Sequence, residues 1–124
     1  MQHAINWFEI PAKDFKRATA FYQAVLGATF QTMNMFGTDM AMLPADLEQG
    51  GVGGAIACGP DYAPASSGAL VYLNCNPDLA PALARVENAG GKVIVPKTQI
   101  SPEFGHFALF MDTEGNKVGL HSQN

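Results

Sequence analysis

Apolar positions along this chain switch between the alternation of a strand and the stripe of a helix, and proline or glycine marks most of the switches. Residues 4–10, AINWFEI, are β-prone and stop at Pro11. Asp14 is then placed to cap a helix whose apolar stripe is Phe15, Ala18, Phe21, Tyr22, Val25 and Leu26, with Gly27 at the C-cap. Three strands follow, ATFQTMNM, TDMAMLP and GGVGGAIACG, divided by turns at Phe36-Gly37-Thr38-Asp39 and around Glu48-Gln49-Gly50. The pattern predicts one βαβββ unit.

The second half repeats that order. ALVYLNC reads as a strand, and Asn76-Pro77 supplies an N-cap and a first-turn proline for a helix through Leu79, Leu83 and Val86 that ends at Gly90-Gly91. KVIVP, GHFALFMD and KVGLHS are the remaining strands, the last two joined by the turn Asp112-Thr113-Glu114-Gly115-Asn116. The helix-ending glycines Gly27 and Gly90 lie about half the chain apart, so two similar modules are the simplest explanation. The expected architecture is α+β, one domain of paired βαβββ modules: module 1 over about 1–58, module 2 over about 69–124. Between them, residues 59–68, GPDYAPASSG, have the composition of a linker.

Composition narrows the function classes. A chain of 124 residues with 48% apolar and 15% charged residues is long enough to bury a core without metal or disulfide staples. No apolar stretch approaches a membrane span, and MQHAINWFEIP lacks the features of a secretion signal, so a cytoplasmic protein with no membrane partner is expected. A net charge of −4 with scattered cations gives no footprint for nucleic acid. Cys58 and Cys75 lack CxxC spacing, which points to two reduced thiols rather than structural zinc.

The segment FEIPAKDFKRATAFYQAVLG resembles the opening of the vicinal oxygen chelate superfamily, which includes glyoxalase I, extradiol dioxygenases, fosfomycin-resistance enzymes and bleomycin-binding proteins. ARVENAGGKVIVP and GHFALFMDTEGNKVGL look like its second-module helix, glycine pair and closing hairpin, so the resemblance covers nearly the whole chain. FEIP with AGGKVIVP is most similar to the group related to lactoylglutathione lyase. The resemblance implies sheets curved into a cup, a homodimer, and a metal held by His or Glu at four inward positions. Those positions fall near Ile5 to Trp7, Ala55 to Ala57, Ala69 to Val71, and at Gly119, and none is His, Asp or Glu here. A catalytic ion needs about three O or N side-chain ligands. The expected cofactor is therefore none, the open alternative being a divalent metal at a site rebuilt from His3, Glu9 and His121.

Glu9 is an acid in an otherwise apolar strand and, by alternation, projects to the same side as Trp7; His121 projects with Gly119. Glu9 is the first candidate for a general base or polar anchor, with His121 second, against the plain alternative of a carboxylate bonded to backbone amides or an arginine. Trp7, Tyr72, Phe104, His106 and Phe110 are candidates to line a ligand pocket, although aromatic residues are more often core. Met33, Met35, Met40 and Met42 alternate along two strands and suit an adaptable pocket wall or an interface, although such methionines more often fill a core. Asp112, Glu114, Gly115 and Asn116 are assigned structure and no chemistry. Three functions remain open: a small-molecule site in the cup that works without metal, used either for a lyase or isomerase reaction with Glu9 as base or for binding alone, a non-catalytic sequestering protein for a small molecule or antibiotic, and a metal-dependent lyase or dioxygenase with displaced ligands.

Overall fold

A computed structural model describes residues 2–124 of the chain. The first four strands, β1 (Trp7–Pro11), β2 (Gln31–Met35), β3 (Thr38–Met42) and β4 (Gly53–Cys58), form a sheet ordered β1-β4-β3-β2, with β1 and β4 parallel. The second sheet repeats it with β5 (Tyr72–Asn74), β6 (Lys92–Ser101), β7 (Gly105–Met111) and β8 (Lys117–Ser122) in the order β5-β8-β7-β6, with β5 and β8 parallel. Helices α1 (Phe15–Leu26) and α2 (Ala80–Val86) complete an α+β fold of two βαβββ units.

Local chemistry sets the element ends. The Asp14 side chain accepts from the Arg17 amide at the start of α1, and Gly27 closes the helix at φ 65°, a left-handed position that favours glycine. The β2–β3 hairpin turns on Phe36 and Gly37, at φ 54° and 82°, the paired positive values of a tight hairpin turn. Helix α2 departs from expectation: it starts at Ala80, with Pro81 rather than Pro77 in its first turn. Asn76 does not cap it, because its side-chain oxygen accepts from the Gln123 amide, whereas Asp78 accepts from the Ala80 amide and from Lys97. The regular helix also stops at Val86, and a turn carries the chain on to Gly90. Strand β5 is shorter than expected and β6 longer, the latter bent by register shifts along β7.

A single apolar core joins the halves. Phe21 and Tyr22 of α1 reach Phe110 of β7 at ring separations of 5.8 and 6.2 Å, among Ile10, Ile56, Leu79, Val86 and Leu120. Each such buried side chain stabilises the fold by roughly 1.5–3 kcal/mol. Polar groups then lock the seam. Tyr22 donates to Asp112 at 2.7 Å, and Asn116 donates to the Pro11 carbonyl at 2.7 Å. Glu114 accepts from the Lys13 and Asp14 amides and pairs with Arg17 at 2.7 Å, so the β7–β8 turn clamps the start of α1. Burial alone would raise the Glu114 pKa, but the Arg17 guanidinium and the amide donors outweigh it and hold the carboxyl at about 2.

Candidate functional site

Alternation divides each sheet into a helix-facing side and an open side. Phe8 and Ile10 join the common core, which leaves Trp7 and Glu9 on the open side of β1. Opposite them in register stand Gly53 and Ala55 of β4. The Trp7 ring lies over Gly53, where a Cβ would stand 3.2 Å from its Cζ3. The second sheet repeats this arrangement. Tyr72 of β5 is the register partner of Gly119 of β8, and a Cβ on Gly119 would run into the Tyr72 ring. In each module an edge-strand aromatic thus covers a glycine of the neighbouring strand.

Around Trp7 the first sheet is apolar and soft. Met40, Ala55 and Ala57 form a small buried cluster with Met42 and Tyr62 against it. Tyr62 belongs to the segment between the modules, and its hydroxyl donates to Glu9 at 2.7 Å. Trp7 donates its indole N–H to the other Glu9 oxygen at 3.3 Å. The hydrogen bond to Glu9 raises the Tyr62 pKa, so the phenol stays protonated. On the second sheet Tyr72, Ile100, Phe107 and His121 line a hollow of about 450 Å³. His121 Nε2 lies 2.7 Å from the Phe104 carbonyl oxygen, which fixes the ring at the rim of that hollow. A larger cleft, about 880 Å³, runs between the modules and is lined by Ile5, Gly53, Leu70, Tyr72 and Arg85, with His3 also on its wall.

Five of the seven candidate residues belong to this side or its rim. Trp7, Glu9, Tyr72 and His121 project from the open faces, and Phe104 is exposed in the turn before β7. The other two require correction. Phe110 is fully buried against α1, and His106 shares its strand parity, facing the helix side opposite Ser122 with Nδ1 buried and unpaired. A residue two or four places away along a strand is on the same side, so once Ala108 and Phe110 enter the core His106 follows them. Tyr62 and Ile100 escaped the sequence reading; the one signal for Tyr62 was an aromatic residue inside a stretch of Pro, Gly, Ala and Ser. The Glu9 carboxylate, expected to find backbone amides or an arginine if structural, instead meets a phenol and an indole.

The donor set does not fit a divalent ion. Among the described residues no three His, Cys, Asp or Glu side chains converge on a point that would hold a metal. His3, Glu9 and His121 do not come together: they border three different cavities, of about 880, 230 and 450 Å³. Where the superfamily resemblance places a metal carboxylate, at Gly119, the Tyr72 ring fills the space.

Residues 5–44 match the model of the bleomycin resistance protein-like N-terminal family. A glyoxylase-like domain-containing protein of Didymella fabae is 32% identical over 118 residues, which span 90% of this chain and 88% of that protein. A glyoxalase/bleomycin resistance protein from Albidiferax ferrireducens T118 superposes with a TM-score of 0.69 at 17% identity, covering 98% of this chain and 100% of that one. Glyoxalase I from Zea mays superposes with a TM-score of 0.67 at 20% identity over 95% of this chain, which spans only 45% of the maize structure's length.

Proposed function

We propose, because the chain belongs to the glyoxalase/bleomycin-resistance family, that it holds a small molecule against its open sheet faces without the divalent ion. The observation that carries this reading is the pair of aromatic rings, Trp7 over Gly53 and Tyr72 over Gly119. They supply apolar, flat surface where chelating side chains would stand, and ligand sites are mostly apolar with few polar anchors. Glu9 is the polar anchor. Sequestration needs nothing more than this. A second reading, lyase or isomerase turnover with Glu9 as base, is favoured by its bond to Tyr62, which places a proton donor beside a carboxylate on the ligand side. The reading includes a cytoplasmic homodimer. Met33 and Met35, with the fully exposed Phe36 at the hairpin tip, form an apolar projection that a second copy would cover.

The test is native mass spectrometry of protein purified under mild conditions, followed by denaturation and identification of what is released. A small molecule recovered unchanged after incubation supports sequestration, and a chemically altered one supports turnover. Glu9→Gln should then abolish that alteration. If no small molecule is retained, either from the cell extract or from a metabolite panel, the binding reading fails.

A further inference from the structure

Among the described residues Glu9 is the one partly buried carboxylate on the open face of the sheets, and it has fewer donors than the two acids at the seam. Glu114 pairs with Arg17, and Asp112 is satisfied by Tyr22, Asn116 and backbone amides. Glu9, partly buried on the open face, receives only the neutral donors Tyr62 and Trp7. Among the described residues the ion pairs are Arg17–Glu114 and Lys97–Asp78, and neither involves Glu9. Lys117 borders the same small cavity without reaching it as an ion pair. A carboxylate withdrawn from water and left without a countercharge is costly, and a cation arriving beside it removes that cost.

The surroundings are chosen for the same guest. Trp7, 37% exposed, and Tyr62 flank the carboxylate, and Met40 and Met42 stand behind them on β3. Indole and phenol rings attract a cation through their negative faces, and thioethers are polarizable. An anion would meet Glu9 with like charge, and a neutral group would leave it unpaired. We infer that the ligand of this face carries a positively charged nitrogen, an ammonium attached to an apolar or aromatic body, held by Glu9 and the Trp7 and Tyr62 rings. This inference rests on the small-molecule reading above and names the chemical class of the guest.

Trp7 is the only tryptophan, so its emission reports on this position. The experiment titrates the full chain with phenyltrimethylammonium and, separately, with its neutral carbon isostere tert-butylbenzene, following Trp7 fluorescence. The cation should quench saturably with a Kd at least about tenfold below that of the isostere, in line with a desolvated cation–aromatic contact. The near-isosteric Glu9→Gln should bring the two values together. Equal affinities in the wild-type chain overturn the inference yet leave the small-molecule reading standing, and so does a tenfold preference that survives in Glu9→Gln. If neither probe is bound the inference is also overturned, and ligand recovery by mass spectrometry then decides the broader reading on its own.

Discussion

The two sides of the same strands are built on opposite terms. On the helix-facing side the acids and Asn116 are well partnered: Asp112, Glu114 and Asn116 converge on Tyr22, Arg17 and backbone groups of the first module. On the open side aromatic rings and methionines stay half exposed, and the carboxylate of Glu9 has only neutral company. Stability is thus concentrated behind the sheets, and the proposed recognition lies in front of them. The difference guides the reading of this fold: the acids at the seam are bound by Arg17, Tyr22, Asn116 and backbone amides, whereas Glu9 on the open face has two neutral side-chain donors and a cavity beside it.

The contrast breaks most sharply at the clamp. Glu114→Ala should lower unfolding free energy by about 2 kcal/mol in urea titrations, because it removes the acceptor of the Lys13 and Asp14 amides. The same clamp sets an acid limit. Since the folded Glu114 pKa lies at about 2, below the ordinary 4.5, its stabilisation is complete above about 4.5 and is lost as pH falls toward 2. Denaturation midpoints measured across that window should drop in the wild-type chain and drop less in Glu114→Gln. Tyr22→Phe, which removes the buried bond to Asp112, should cost about 1–2 kcal/mol. On the open side the balance reverses: Trp7→Ala and Tyr72→Ala should each change stability by less than about 1 kcal/mol while abolishing ligand retention in native mass spectra. Phe36→Ser should leave stability within about 0.5 kcal/mol and shift the protein from dimer to monomer in sedimentation velocity.

Much of the fold was legible because apolar periodicity is a local signal. The stripe Phe15 to Leu26 and the alternation through Met33 to Met42 report their elements without knowledge of any partner, as do the glycines at 27 and 37. The candidate site was legible as far as strand parity carries. Glu9 beside Trp7, and His121 beside Gly119, follow from counting by two. What failed was non-local. Asn76 reads as a helix cap, and only the packing of the C-terminal residues against it shows that its side chain is used elsewhere. His106 and Phe110 read as pocket residues because nothing in β7 alone says which side faces α1; the contact of Phe110 with Phe21 settles it. Tyr62 reaches Glu9 across most of the first module, a contact no spacing rule anticipates, and Glu114 similarly reads as a turn residue until α1 is docked beside it.

On this account ring-over-glycine pairs stand where a metal site would be. The most direct test is the metal content of protein purified without chelator, with melting temperatures recorded as nickel, zinc, manganese and iron(II) are added. The expected result is less than about a tenth of an equivalent of any of these metals, with no ion shifting the melting temperature. A full equivalent of bound metal, or a saturable stabilisation by one of the four ions, would contradict it.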